Sequence, residues 1–420
     1  MSHFLRDYAD RLRRFSPNAR LFLLSVFGIG LASSIFSLLL NIYLLHLGYK
    51  QDFLGLMAAI PPLVTALLAV PAGVVGDSLG HRRTFIIGGV LSGLGALGIS
   101  IFTEAEPLIL SIGVLGLGWA LLQVVSAPFM VEESHEHERT HLFSVQFALQ
   151  TLASFLGSFV GGALPQLFAR GLAVPESTAV VYQIALAVSV GLIFVSILPL
   201  VWMRSAPRER GRARLRWHLQ TPPALIFRLI VPNIILGLGA GLFIPFMNVF
   251  FKLQFNLSDT LLGTLFALGA VGMGIASLAG PPLAQRVGKV RTMVWTQALS
   301  IPFLVVMAFV PILWVSALAF VIRFALMPMS APIYSLFVME QVAPEDRATV
   351  NGWSTMAWNL LFAGSAWLSG QLQVLWGFGP IFLIVCGFYS SSIVLQHVLF
   401  SPLERRGRLL KAALAEPKQY

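Results

Sequence analysis

Long apolar stretches alternate with short polar segments along most of this 420-residue chain. Each apolar stretch is about 20 residues or longer, the length that an α-helix needs to cross the hydrocarbon core of a bilayer. The pattern therefore predicts twelve membrane-spanning helices. They fall near Leu21–Leu45, Phe53–Val75, Thr84–Thr103, Leu108–Val131, His141–Phe168, Thr178–Met203, Ala224–Phe251, Thr260–Ala284, Thr292–Val310, Ile312–Met339, Ala348–Leu375 and Gly379–Phe400.

The chain also repeats itself, because the same residues recur 208 positions apart. The matching pairs are Leu54-Gly55 with Leu262-Gly263, Gly80 with Gly288, Arg83-Thr84 with Arg291-Thr292, Glu132 with Glu340, Arg139 with Arg347 and Gly162 with Gly370. Duplicated halves in the same orientation are common in secondary transporters, which hold their substrate between the halves. The repeat predicts two six-helix halves, 1–203 and 221–420, joined by a basic linker at 204–220.

Composition excludes an ordinary soluble domain. Charged residues make up 11% of the chain and hydrophobic residues 57%, with a mean hydropathy of +0.81, whereas soluble domains carry about 25% charged residues. Met1–Arg20 is polar and basic and leads directly into the first apolar stretch, so we expect no cleavable signal peptide. The lone cysteine, Cys386, cannot form a disulfide within the chain.

Basic residues mark one side of the predicted helices. With both termini on one side, 24 of the 28 Lys and Arg residues lie on that side and three on the other: Lys50, Arg170 and Lys252. Excess Lys and Arg mark the cytoplasmic face, which predicts a prokaryotic inner-membrane protein with both termini cytoplasmic. The net charge of +10 then reflects topology, and we expect no nucleic-acid partner. Two interpretations of the linker stay open, a segment on the anionic lipid surface and a disordered tether.

The loop after the second span reads Gly73-Val-Val-Gly-Asp77-Ser-Leu-Gly80-His-Arg82-Arg83. It resembles the signature loop of the major facilitator superfamily. A degenerate copy at Gly280–Arg291, the basic middle segment and the twelve spans extend this resemblance over the whole chain. The resemblance implies an all-α membrane fold of two pseudo-symmetric six-helix halves that works by alternating access.

The resemblance further implies that this loop latches the cytoplasmic side while the outer side is open. The latch residues would be Gly73, Asp77, Gly80, Arg82 and Glu132. Asp77 can pair with Arg82 and with a helix N-terminus. Ser78 and His81 stand where the family usually has basic residues, which implies a weaker or pH-sensitive latch. The alternative is a tight turn at Gly80 with solvated charges around it.

The fifth span contains Gly157-Ser-Phe-Val-Gly161-Gly162-Ala-Leu-Pro165. This segment is similar to the antiporter motif of the same family but lacks the proline directly after the second glycine. Small residues at this spacing also let helices approach closely in lipid. The motif therefore does not establish antiport.

Polar side chains inside the spans are the candidates for substrate binding. Arg323 lies roughly 16 Å into the tenth span at 1.5 Å per residue, where an unpaired charge is costly. The resemblance places the first, fourth, seventh and tenth spans around the central cavity, which puts Arg323 on the route. Snorkelling or pairing with backbone carbonyls is the alternative. The full set of candidates is Arg323, Gln123, Gln146, Gln150, Asn233 and Trp358.

The amide and aromatic candidates have a structural alternative too, since a single Gln or Asn in a span often makes an interhelical hydrogen bond and a Trp often packs. Asn41 and Asn248 are predicted nearer the outer mouth. Every acid is predicted at a span end or in a loop, which leaves transport without a coupling ion open beside proton coupling.

No pattern in the chain predicts catalysis. In the run from Glu132 to His141, the four-residue spacing of His137 and His141 is compatible with a metal, but we interpret the run as a solvated loop. Nucleotide-binding and nucleophile motifs are absent from the sequence, so we expect no enzyme activity, no metal and no cofactor.

These features predict a monomeric secondary active transporter that exports a small organic solute. In one form of this prediction, export is driven by exchange for protons. One alternative is a carrier for uptake or uniport of a polar or anionic metabolite, which Arg323 favours. Another is a membrane sensor that transports nothing. The expected partners are the solute, membrane lipid and, if transport is coupled, protons.

Overall fold

The computed structural model of the chain describes residues 15–204 and 220–415. Within these ranges it leaves out a few side chains, those of Ala69, Val70, Asp77, Glu136, His137, Thr140 and residues 407–415. The predicted linker at 204–220 lies almost wholly outside the described residues, so its interpretation stays a prediction. Over the described residues the chain forms helices and no strand.

We number the α-helices in chain order. Those of the first half are α1 (Pro17–His46), α2 (Gln51–Leu79), α3 (His81–Ile101), α4 (Ala105–Glu132), α5 (Glu136–Leu172) and α6 (Ala179–Val201). Those of the second half are α7 (Pro223–Phe243), α8 (Met247–Phe255), α9 (Asp259–Val287), α10 (Lys289–Phe309), α11 (Leu313–Leu326), α12 (Ser330–Gln341), α13 (Arg347–Trp376) and α14 (Phe378–Ala415).

Eleven segments of the described residues are long and apolar enough to cross a membrane. The combined helices α7 and α8 form one of them, Pro223–Phe255, and α11 and α12 form another, Leu313–Gln341. The predicted eleventh span corresponds to α13, which has 30 residues but is not among the eleven. Polar residues such as Asn351 and Asn359 lower its hydropathy.

Two spans are broken near a proline. A short 3₁₀ turn, Ile244–Phe246, separates α7 from α8, and Pro245 lies in it. Pro328 lies in the turn between α11 and α12. Proline has no backbone N–H to donate and its ring collides with the preceding turn, so a helix breaks or kinks there. The breaks leave helix ends inside two otherwise apolar segments.

The 208-residue repeat is visible in the backbone. Gly80 joins α2 to α3 with φ +83° and ψ 153°, and Gly288 joins α9 to α10 with φ +102° and ψ 152°. These left-handed conformations favour glycine. In both turns the threonine four residues later donates its hydroxyl to the glycine carbonyl, at 3.0 Å for Thr84 and 2.8 Å for Thr292. The repeated residues therefore form the same turn twice.

The chain divides into two compact units. The first consists of Met1–Gly211 with Phe246–Val271, and the second of Arg212–Pro245 with Gly272–Tyr420. Each has its own buried core. In the first unit the rings of Phe22, Phe85 and Phe129 lie 4.9–5.3 Å apart. In the second, Phe337 and Phe400 pack at 5.0 Å.

Candidate functional site

A cavity of about 320 Å³ lies inside the first unit, among α1, α3, α4, α5 and α6. Three of the predicted substrate-binding residues line it: Gln123, Gln146 and Gln150. Its volume is within the range of small-molecule sites, roughly 300–1,000 Å³. The structure thus brings together three amides that the sequence places on two different helices.

Helix geometry explains why these side chains share the cavity. On α4, Trp119, Gln123 and Ser126 follow one another at spacings of four and three residues, and on α5 the same holds for Gln146 and Gln150. Residues three and four apart lie on one helix face. Two amphipathic stripes therefore meet, each with polar groups on an otherwise apolar surface.

The cavity wall combines aromatic rings with uncharged hydrogen-bonding groups. The rings belong to Phe22, Phe85, Trp119 and Phe143, and the two hydroxyls to Ser25 and Ser126. No charged side chain is among the described residues that line it. The three glutamine amides make no hydrogen bond to any described residue, so they are available to a solute.

Arg323 lies in the second unit, in the last turn of α11, and only 5% of it is exposed. Its guanidinium carbon lies 4.2 Å from the ring centroid of Phe243 and 5.3 Å from that of Tyr389. Its Nε and Nη2 atoms have no hydrogen-bond partner among the described residues. The two rings stabilise the buried charge by cation–π attraction, and the C-terminal end of α11 adds a favourable dipole.

Arg323 therefore lies where two broken spans meet, because Phe243 is the last residue of α7 and Arg323 lies in the last turn of α11, three residues before its end. Sequence reasoning placed Arg323 deep in a span but gave no sign of the aromatic rings around it. Those rings lie 80 and 66 positions away in the chain.

Asn233 and Trp358 also belong to the second unit and are half-buried. A Cβ added at Gly237 would lie 3.1 Å from the Trp358 ring, so this ring packs against α7. Asn233 is one turn earlier on the same face of α7. The six predicted binding residues thus fall into two groups of three, one group in each unit.

The predicted latch is partly described. The side chain of Asp77 lies outside the described residues, so its pairing stays a prediction. Arg82 Nη2 donates to the carbonyl oxygen of Val201 at 2.5 Å, at the end of α6. Glu132 lies 3.5 Å from His81 Nε2. Gly80 forms the turn. A Cβ added at Gly73 would lie 3.8 Å from the side chain of Val124.

The neighbouring acid, Glu133, makes contacts that the sequence did not indicate. Its two carboxylate oxygens accept hydrogen bonds from Ser16 at 2.5 Å and from Asn18 at 2.7 Å. Asn18 also exchanges two hydrogen bonds with the backbone of Arg204. The start of α1 and the ends of α4 and α6 are tied together by this group.

A buried polar network in the second unit was also missed. Gln297 donates to Ser330 at 2.8 Å, and Gln396 donates to Gln297 at 3.1 Å and to Ser392 at 3.2 Å. Ser392 in turn donates to the carbonyl of Pro232 at 2.7 Å. The four-residue spacing of Ser392 and Gln396 in an apolar helix was the available signal.

Asn41 and Asn248, predicted near the outer mouth, contact each other. Asn41 Nδ2 donates to Asn248 Oδ1 at 3.1 Å, and Asn248 Nδ2 donates to the carbonyl of Leu38 at 2.9 Å. Both asparagines are buried, at 8% and 4% exposure. They are held by each other and by the backbone.

Comparison with known proteins identifies the class. The Major Facilitator Superfamily model matches residues 22–236 and 229–418, so the chain belongs to this superfamily of transporters. It is a multi-pass membrane transporter and not an enzyme. Transporters of this family bind small-molecule substrates, and the family match confirms the predicted fold class.

Among relatives, an uncharacterized MFS-type transporter of Methanocaldococcus jannaschii is 26% identical over 179 residues, 40% of this chain and 43% of the relative. The methyl viologen resistance protein SmvA of Salmonella typhimurium is 27% identical over 173 residues, 40% of this chain and 32% of that protein. The chain therefore spans less than half the length of either relative. The solved structure of the nucleoside transporter NupG is 14% identical with a TM-score of 0.70, over 92% of this chain and 99% of that one.

Proposed function

We propose that this protein exports a small, uncharged organic solute by alternating access and that the cavity of the first unit binds it. The observation that carries this proposal is the cavity wall, where three amides that bond to no described residue face four aromatic rings, with no charged group among the described lining residues. Amides and hydroxyls can each donate a hydrogen bond to a solute or accept one from it. A planar or aromatic body fits the rings.

Two further considerations support the direction and the kind of solute. An anion would lose hydration in this cavity and gain no positive charge from the described residues of its wall. A cation would find aromatic rings there but no carboxylate among those residues. The name of the SmvA relative refers to resistance to methyl viologen, which favours export over uptake. Proton exchange as the driving reaction fits export against a gradient.

Counterflow in proteoliposomes tests this proposal. A panel of neutral, cationic and anionic aromatic solutes should show saturable exchange for neutral members. Gln150→Leu should raise the apparent substrate constant about tenfold, since one hydrogen bond to a solute is worth about 1.4 kcal/mol. Thr151→Val, next in sequence, is the matched control, because Thr151 bonds its own helix at Phe147 and does not line the cavity.

Exchange restricted to charged solutes, or equal constants for the Gln150 and Thr151 variants, would reject the cavity as the binding site. A protein that folds and shows no counterflow with any solute would favour the sensor alternative.

A second candidate function, transport of an anionic metabolite, is favoured by the guanidinium of Arg323, since two of its nitrogens have no partner among the described residues. A carboxylate could take two hydrogen bonds from this group. Arg323→Lys should then weaken anion transport, because lysine lacks the planar fork. Unaltered anion affinity in this variant would leave Arg323 a structural role between its two rings.

We further propose that the protein is a monomer in a prokaryotic inner membrane with both termini cytoplasmic. The sorting of Lys and Arg supports this orientation. In a Cys386→Ser background, single cysteines at Glu106 and Glu176 should react with an impermeant maleimide from outside. A cysteine at Arg405 should not react, and its labelling in sealed cells would reverse the orientation.

A further inference from the structure

Asp259 is a completely buried acid with two specific partners. It is the first residue of α9, and its side chain has no exposed surface. Its Oδ1 lies 2.5 Å from Lys252 Nζ on α8, and its Oδ2 accepts a hydrogen bond of 2.5 Å from the hydroxyl of Tyr182 on α6. An ionised carboxylate buried in this way depends on its partners, because desolvation opposes the charge.

The other groups around this acid are also defined. His46 at the end of α1 stacks on the Tyr182 ring at 4.5 Å. Glu176, in the turn before α6, acts on the Tyr182 hydroxyl electrostatically. On α5 the neighbouring group is the uncharged Gln166, whose Oε1 lies 3.4 Å from Thr260 Oγ1. Lys252 is thus the one positive side chain in direct contact with Asp259 among the described residues.

The acid lies at a junction between the two sequence halves inside the first unit. Lys252 and Asp259 come from the second half, whereas Tyr182 and His46 come from the first. Beside them α5 and α9 cross at close range, since a Cβ added at Gly162 would lie 2.7 Å from the Cα of Gly263. If the segment Phe246–Val271 moves away from α1, α5 and α6, the Tyr182 bond breaks and the acid becomes accessible.

We propose that Asp259 binds a proton and that this protonation releases the segment Phe246–Val271 from α1, α5 and α6. A proton from water adds to Oδ1 and converts the carboxylate to a carboxylic acid. Lys252 keeps its own proton and loses its counter-charge, so its side chain, which is 19% exposed, turns toward water. The ionised form holds the junction closed and the protonated form opens it.

This role gives the transporter a coupling site without an acid in the middle of a span. Only the identity of the compartment that supplies the proton rests on the orientation and export direction proposed above. The linkage between protonation and opening does not involve the cavity or its solute, so it can fail or hold independently of them.

Crosslinking across the junction tests the linkage. Cysteines replace Gln166 and Thr260 in the full-length Cys386→Ser protein, reconstituted in liposomes, with a protease site in the linker. A short, permeant bifunctional methanethiosulfonate then joins the halves only when the junction is closed. The crosslinked fraction should fall as pH is lowered, with the open-to-closed ratio rising by up to about tenfold per pH unit for one coupled proton.

Variants assign the titrating group. Asp259→Asn should crosslink weakly at every pH, whereas Asp52→Asn, another acid in the first turn of a helix, should match the parent protein. Tyr182→Phe removes a donor to the ionised carboxylate, so the midpoint should move to higher pH. Tyr182→Phe keeps the charges of Lys252 and Asp259, so it still tests the proposal if Asp259→Asn does not fold.

Crosslinking that ignores pH in the parent protein would overturn the proposal. Retention of the full pH response in Asp259→Asn would overturn it too, and loss of that response in His46→Gln would then assign the titration to His46. An unmoved midpoint in Tyr182→Phe contradicts the hydrogen-bond part of the argument.

Discussion

The two copies of the repeat form the same turn with different charges. At the first turn, His81 faces Glu132 at 3.5 Å, and at the second, Lys289 contacts Glu340 at 2.5 Å. The lysine and the histidine occupy equivalent positions, 208 residues apart. A lysine is charged throughout the physiological range, whereas a histidine changes charge within it. The two copies therefore share the backbone of the turn but carry different basic groups.

The two halves also differ in what surrounds their glutamines and in the hydrogen bonds that these side chains make. In the first half, Gln123, Gln146 and Gln150 face a cavity and bond to no described residue. In the second, Gln297 and Gln396 are buried and hydrogen-bonded to each other. Three glutamines of the first half thus face a cavity, whereas these two of the second half join helices.

The largest expected effect breaks the shared turn. Gly80→Ala and Gly288→Ala should each destabilise the protein by about 1–3 kcal/mol, because both glycines have a positive φ that an alanine adopts with strain. The double variant should add the two losses. Thermal unfolding in detergent measures this, and Gly191→Ala, in a helix with open space around it, is the control. A loss at only one glycine would mean that the two turns are not equivalent.

The next effect separates binding glutamines from structural ones. Gln396→Leu should cost roughly 1–2 kcal/mol of stability, because it leaves the buried Gln297 Oε1 without a donor. Gln150→Leu should leave the melting temperature unchanged, since its amide bonds to no described residue. Equal melting temperatures for both variants would contradict the contrast between the halves.

The smallest effect concerns the charged pairs. Glu340→Gln should lower stability by about 0.2–1 kcal/mol at neutral and acid pH alike, a small value because both side chains are partly exposed. Glu132→Gln should lower stability by less, because a histidine carries its charge for only part of this pH range whereas a lysine carries it throughout. Melting temperatures at neutral and acid pH measure both losses. His81→Lys should abolish the difference between the copies.

Much of the fold was predictable because it follows from local properties. Apolar length predicts a membrane helix, and Gly80 and Gly288 at helix ends predict turns. The family assignment confirmed the predicted class. The pattern also placed α13 within one residue at each end. The breaks at Pro245 and Pro328 were harder to place, since packing tolerates prolines that a hydropathy pattern does not resolve.

By itself the sequence determined the helices, the duplicated turn and the family, because each depends on residues close together in the chain. Only the tertiary structure decided which polar side chains meet. Tyr182 and Asp259 are 77 positions apart, and Arg323 meets Phe243 across two different spans. Such contacts depend on how helices cross and rotate against each other. That geometry is a property of the packed bundle and is not encoded in any one helix.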